Sequence, residues 1–308
     1  MKISILEYTG DQSGPYRVDT YVEQLAELRD EGFGRMWSAQ LPYERDLLTA
    51  LAVAFREVDT IEVATGVLPI QNQHPMLLAQ RALTLNAIAG GRFTLGIGMT
   101  HALVTEGMWG ISWAKPIRRL TEYLDGLLPL LNGQPADATG ELVTTRGALH
   151  IPGAPAPEVY VAALGPQMLR VAGRRTAGTV TWMTGPATLE THIGSVLRSA
   201  ATEAGRPEGA VRVVAVLPVS VTDDVDAARK RAADEYVVYG QLPSYRAMLD
   251  REGYAGPEDA ALIGDEQTVS ERLGQLRAAG VDEFVGATFD PSAEGRARTR
   301  ALLRRWAG

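Results

Sequence analysis

Eight short apolar, β-branched runs, each followed by a longer amphipathic stretch, predict an α/β protein built as a single (β/α)8 TIM barrel. Strands separated by helices imply parallel crossovers, since a tight turn cannot join parallel neighbours. Eight units favour closure over a doubly wound sheet, which more often stops at five to seven strands. The length of 308 residues also fits one such domain, 1–308, with two insertions at about 132–157 and 223–257, after the fourth and seventh strands.

The elements follow in order. Ile3-Ser4-Ile5-Leu6 is the first strand. Val22, Leu25, Ala26 and Leu28 then recur at helical spacing across 21–31, until Gly32 stops the helix. Met36-Trp37-Ser38 is the second strand and 47–55 the second helix. Ile61 to Leu68 is read as one third strand, followed by a helix over 76–88 that Gly90-Gly91 ends. Arg92 to Gly98 is the fourth strand, and 116–131 a helix with Pro116 in its first turn. The Gly-, Pro- and Ala-rich stretch 132–157 breaks the rhythm, with 141–145 alternating like a small hairpin. The rhythm resumes with strand 159–162, helix 167–174, strand 179–182, helix 189–204 and strand 211–221. The second insertion is helical by pattern. Helix 267–279, strand 283–287 and helix 293–306 close the sequence.

Composition narrows the chemistry. Apolar residues make up 45% and charged residues 22%, with a net charge of −7, which disfavours nucleic acid as a partner. There is no cysteine, so disulfides, thiolate nucleophiles and Cys-type metal sites are excluded. The four histidines are scattered, and no HxH or HxxE arrangement is present, so no metal is expected. No apolar run reaches the roughly 18 residues of a membrane span, and charge appears too early for a signal peptide. The expectation is a cytoplasmic protein acting on a small molecule, away from membranes. Three of the 30 basic residues are lysines (Lys2, Lys115, Lys230), a bias that fits codon usage in a GC-rich genome.

Barrel active sites lie at the C-terminal ends of the strands. At those positions only Glu7 and His101 titrate near neutral or mildly acid pH, without a carboxylate pair or a Schiff-base lysine. So sparse a set suits a site where a cofactor carries the reaction. Gly96-Ile97-Gly98 leaves open whether a flat ring approaches the backbone or the barrel needs a tight corner. Gly165-Pro166-Gln167-Met168 opens a helix whose first amides point at an anion or simply start a helix, and Thr184-Gly185-Pro186 repeats that layout. His101 is either a hydrogen-bond or proton donor at the barrel mouth or a satisfied loop histidine. His74, before Pro75, reads as a helix-start residue. Trp37, Trp109, Trp113 and Trp182 are candidates for an aromatic pocket, Trp37 more simply for the core.

Gly32-Phe33-Gly34-Arg35-Met36-Trp37, Thr65-Gly66-Val67-Leu68-Pro69 with His74-Pro75, and Gly90-Gly91-Arg92-Phe93-Thr94-Leu95-Gly96-Ile97-Gly98 together resemble the luciferase-like monooxygenase superfamily. Within it they resemble the branch that uses coenzyme F420, a deazaflavin. Gly165-Pro166-Gln167-Met168-Leu169 and Thr181-Trp182-Met183-Thr184-Gly185-Pro186 add to that resemblance. It implies a homodimeric oxidoreductase that transfers a hydride between coenzyme F420 and a small, mostly apolar substrate, most simply as a reductase of a C=C, C=N or C=O bond. It further implies a non-prolyl cis peptide at Gly66–Val67 backing the cofactor ring. The cofactor-binding residues would be Gly66, Val67, Gly98, Met99, Leu164, Gly165, Pro166, Gln167, Met183, Thr184 and Gly185, with the phosphate on the amides after Gly165 and beside Thr184 and Gly185. His101 and Gln40 would stand at the catalytic positions. Alcohol-oxidising relatives tend to have histidine where Gln40 stands and glutamate where His101 stands, and an amide is no base, so alcohol oxidation is not carried over. The same-fold alternative is an FMN-dependent two-component monooxygenase. An alternative of another class is a non-catalytic cofactor-binding protein.

Overall fold

The computed structural model describes residues 1–8 and 17–307. In chain order the elements are β1 (Lys2–Glu7), α1 (Val18–Asp30), β2 (Arg35–Ser38), α2 (Leu47–Glu57), β3 (Glu62–Thr65), β4 (Leu68–Pro69), α3 (Pro75–Ile88), β5 (Phe93–Gly98), α4 (Ala102–Gly107) and α5 (Pro116–Leu131). Then come β6 (Ala136–Thr139), β7 (Thr144–Gly147), β8 (Val159–Ala162), α6 (Pro166–Arg175), β9 (Gly178–Trp182), α7 (Pro186–Thr188), a π-helical turn (Leu189–Gly194) and α8 (Ser195–Glu203). The remainder is β10 (Arg212–Val221), α9 (Val225–Glu235), α10 (Val237–Gln241), α11 (Pro243–Glu252), α12 (Pro257–Ala260), β11 (Leu262–Gly264), α13 (Glu266–Ala278), β12 (Glu283–Thr288) and α14 (Ala293–Ala307).

Each expected strand and helix is present, with three local differences. The run 61–68 is two strands, β3 and β4, with the cis peptide Gly66–Val67 between them. Three elements are additional, the six-residue α4 and the three-residue α7 and β11, all too short to show a period. The hairpin pairs Ala136–Thr139 with Thr144–Gly147, so Glu141, Leu142 and Val143 form its turn. The cause is a tertiary contact. The Glu122 carboxylate on α5 accepts the backbone N–H groups of all three, at 3.0, 2.7 and 2.9 Å.

The chain divides into two compact units, each discontinuous in sequence. The first comprises 1–6, 30–37 and 163–308. Its strands β9, β10, β12 and β1 are all parallel, and β11 adds to the far end of β10. Ten residues long, β10 pairs with β9 through Arg212–Val216, with β12 through Val214–Val219 and with β11 through Val219–Val221. Its near-continuous Val/Ala/Leu run is what a parallel strand buried on both faces requires. The second unit comprises 7–29 and 38–162. There β3, β4 and β8 all pair parallel with β5, whose six residues are all buried. Helix starts follow the sequence signals: Asp46 caps α2 through the Thr49 N–H and Asp265 caps α13 through the Thr268 N–H, both at 2.8 Å. No helix among the described residues is long and apolar enough to cross a membrane.

The first unit holds a buried carboxylate. Glu283 opens β12 at 3% exposure; its Oε1 accepts from Ser4 Oγ and Trp37 Nε1, both at 2.7 Å, and its Oε2 pairs with Arg35 at 2.9 Å. Removing the carboxylate strands a buried guanidinium, which costs on the order of 3–5 kcal/mol. Glu283→Ala should lose that much unfolding free energy in a denaturant titration, whereas Trp37→Phe, which deletes one donor, should lose less.

Candidate functional site

In the second unit the C-terminal ends of β3, β4 and β5 meet. A Cβ on Gly96 would overlap the Thr65 carbonyl oxygen, and one on Gly98 would lie 2.8 Å from Val67 Cγ2 and 3.0 Å from Ala162 Cβ. The two glycines therefore let the chain at Gly66–Val67 and β8 close on β5, and protein atoms fill the space their missing side chains leave. Thr65 completes the seam: its Oγ1 accepts from Gly96 N and donates to Gly96 O, both at 2.8 Å. The cis peptide stands where the resemblance puts it.

Beyond β5, Met99 and Thr100 lead to His101, which precedes α4 and whose carbonyl accepts from Val104 and Thr105 N–H. The His101 imidazole is half-buried, and burial holds it below the ordinary histidine range, so it is neutral at neutral pH. A neutral imidazole offers a hydrogen-bond donor rather than a ready proton. Gln40 is differently engaged. Its Nε2 donates to Leu41 O at 2.9 Å and Arg45 O at 3.0 Å, and its Oε1 accepts from Leu47 N at 2.7 Å. Both ends of this amide thus hold the loop that starts α2, a structural duty for a residue the sequence offers as catalytic. His74 likewise caps α3, accepting from Met76 N at 3.1 Å while its Nε2 donates to Thr144 O at 2.9 Å.

The first unit presents two helix N-termini after strands. At α6, Gly165 is exposed, no side chain among the described residues caps the first turn, and a Cβ on Gly165 would meet open space. At α7 the first-turn amides are taken: Ala187 N and Thr188 N donate to the two oxygens of Glu252, at 2.9 and 2.7 Å. A Cβ on Gly185 would overlap that carboxylate. Glu252 ends α11, so a charge from the second insertion occupies one of the two amide clusters that the sequence pairs as a phosphate site. Proximity in sequence could not have revealed it.

Two further features are invisible in the sequence. The π-helical turn carries His192 to the Leu164 carbonyl, with Nε2 donating at 2.9 Å, which fixes the residue just before Gly165. Met183, fully buried, takes φ +55°, a left-handed conformation that costs a side-chain-bearing residue about 1–2 kcal/mol. The tight turn brings Thr184 Oγ1 to donate to Trp182 O at 3.2 Å. Trp182 meets Tyr236 and Tyr239 edge-on, with centroids 5.8 and 5.7 Å apart; Tyr239 meets Tyr245 at 5.1 Å and Tyr236 meets Phe289 at 5.9 Å. Strand ends and the second insertion thus build one aromatic wall. Of the other tryptophans, Trp37 belongs to the core, and Trp109 and Trp113 are half-exposed beyond α4.

The luciferase-like monooxygenase family model matches residues 3–283. The chain belongs to that family. The 5,10-methylenetetrahydromethanopterin reductase of Archaeoglobus fulgidus is 31% identical over 248 residues, 80% of this chain and 71% of that protein. Among solved structures, the coenzyme F420-dependent tetrahydromethanopterin reductase of Methanopyrus kandleri superposes with a TM-score of 0.82 at 20% identity, covering 99% of this chain and 97% of that one. The oxygenating constituent of 3,6-diketocamphane monooxygenase from Pseudomonas putida, in complex with FMN, gives 0.79 at 19% identity, covering 99% and 97%. The fold is accordingly the (β/α)8 barrel that the order of strands and helices predicts.

Burial of neutral His101 has a measurable consequence for stability. Its folded pKa is lowered, so as pH falls through about 6.5 the unfolded chain takes up a proton first and the fold loses stability. Unfolding titrations between about pH 5 and 7.5 should show the wild type losing stability relative to His101→Gln as pH falls, with no divergence above that window.

Proposed function

We propose that this chain is a coenzyme F420-dependent oxidoreductase that reduces a C=C, C=N or C=O bond in a small, mostly apolar organic molecule. The observation that carries the reading is a match to the family over residues 3–283, joined to a reductase relative at 31% identity, with a histidine kept neutral by burial at the candidate site. Such a site leaves the redox step to a cofactor. When bound, the reduced deazaflavin supplies a hydride to an electrophilic carbon.

The remaining tasks fall to the chain's own residues. The uncapped first turn of α6, at Gly165-Pro166-Gln167, fits the cofactor phosphate, because free amides and the helix dipole both favour an anion. Glu252 at α7 disfavours an anion there, so the phosphate is assigned to α6, with Leu164 held in place by His192. Gly66, Val67, Gly98 and Met99 of the second unit are assigned to the ring, and Met183, Thr184 and Gly185 of the first unit are assigned to the cofactor by the resemblance alone. The wall of Trp182, Tyr236, Tyr239 and Tyr245 supports an apolar substrate. His101 donates a hydrogen bond that polarises the reduced bond, and at neutral pH the proton comes from solvent.

The FMN-bound neighbour is the observation that favours a second reading, a flavin-dependent monooxygenase of the same fold. Fluorescence titration of the purified protein with F420 and, separately, with FMN decides between them: F420 binding alone supports the reductase, and preference for FMN moves the assignment. Gly165→Asp tests the phosphate position. Its backbone is extended and its Cβ unobstructed, so an aspartate there can cap α6 and compete with the phosphate. Unchanged or raised thermal stability with cofactor affinity about 10-fold lower or more is the expected result; unchanged affinity moves the phosphate elsewhere. In His101→Ala, turnover should fall more than cofactor affinity does, and equal turnover in the two proteins removes His101 from the chemistry.

A further inference from the structure

Buried polar atoms without a partner among the described residues mostly lie within helices and strands, as at Tyr123, Thr145 and Ser220. Gln71 is different. It stands two residues beyond β4, at the strand ends where (β/α)8 barrels hold their ligands, and is only 8% exposed. Its Oε1 accepts from Thr100 N at 3.3 Å, which settles the orientation of the amide, since a backbone N–H can only meet the oxygen end. The Nε2 end, with two N–H donors, has no acceptor among the described residues.

The loop does not need Gln71 to hold its course. Ile70 N donates to Gly98 O at 3.1 Å, and Gln73 Nε2 donates to Pro69 O at 2.8 Å, so residues on both sides are already tied down. A buried amide that anchors by its oxygen, with no protein acceptor for its donors among the described residues, presents those donors to an acceptor from outside the chain. The anchored loop, Met99-Thr100-His101, is the one that carries the candidate catalytic histidine. Gln71 therefore links two strand ends of the second unit and presents a donor beside them.

We propose that the Gln71 side-chain amide is a cofactor-binding residue whose Nε2–H donates to a carbonyl oxygen on the uracil-like edge that deazaflavin and flavin rings share. The proposal rests on the reading of this chain as a ring-cofactor enzyme but does not depend on which of the two rings is bound. Anions and carboxylates are not what a neutral amide selects best; a ring carbonyl, neutral and directional, matches it.

The test uses the full chain and two variants. Gln71→Glu keeps an acceptor for Thr100 N–H and removes the donor, whereas Gln71→Met removes both at similar volume. Oxidised F420 and FMN are each titrated by fluorescence against wild type and variants, and thermal midpoints are recorded without cofactor. For whichever ring the wild type binds, both variants should bind about 10-fold more weakly or worse, while cofactor-free Gln71→Met melts close to wild type, because losing the unmatched donor offsets losing the acceptor for Thr100 N–H. Affinities within about twofold of wild type in both variants overturn the proposal. Retained binding in Gln71→Glu with loss in Gln71→Met also overturns it, because the oxygen anchor would then be what matters. Wild-type binding of FMN alone overturns the F420 reading while Gln71 is still tested on FMN. Binding of neither ring overturns both.

Discussion

A carboxylate as deeply buried as that of Glu283 is tolerable only while each of its oxygens is occupied, and this requirement sets the N-terminal ends of β12, β1 and β2 together. Ser4, Arg35 and Trp37 come from positions 4 to 37, and their common acceptor from position 283. The pairing Lys2↔Glu283 and Ser4↔Val285 places the serine within reach. Slipping β1 by one residue would turn Ser4 to the other face and leave Glu283 short of a donor while exposing Ile3 or Ile5 to the wrong side. Register here is thus enforced by polar geometry as well as by apolar burial.

That arrangement separates two duties along the strands. Where β12 and β2 begin, a satisfied charge cluster locks the structure. Where β4 and β5 end in the second unit, Gln71 has donors that no acceptor among the described residues takes; where β8 and β9 end in the first, no side chain among the described residues caps α6 and Met183 is left-handed. A protein can hold such costly features in one region only if another region is over-determined.

The barrel was legible because parallel strands buried on both faces read as continuous apolar runs and their helices as periodic ones; β10 and α5 are examples. The Gly-Gly-Arg-Phe run was legible as a family mark, yet its residues are structural. Gly90 and Gly91 turn the chain with positive φ, and Arg92 donates to the Phe55, Val58 and Ile61 carbonyls from the last turn of α2 to the residue before β3, with its guanidinium 4.9 Å from the Phe55 ring. Gln40 shows the converse, since the amide that the resemblance puts at a catalytic position holds its own loop at both ends. Residues that act through distant partners left no local signal. Nothing around Glu252, His192 or Gln71 tells that they reach Ala187, Leu164 and Thr100.

The contrast between α6 and α7 shows why such contacts decide function where motifs cannot. Gly165-Pro166 and Gly185-Pro186 are the same dipeptide after a strand, and both leave first-turn amides for an anion. A single carboxylate at the end of α11 makes them unequal: it takes the first-turn amides of α7, whereas no side chain among the described residues takes those of α6. The second insertion therefore does more than cover a strand end. It supplies Glu252 to one helix start, where the carboxylate takes amides that an anion would otherwise need, and sets Tyr236, Tyr239 and Tyr245 in an edge-on aromatic cluster with Trp182.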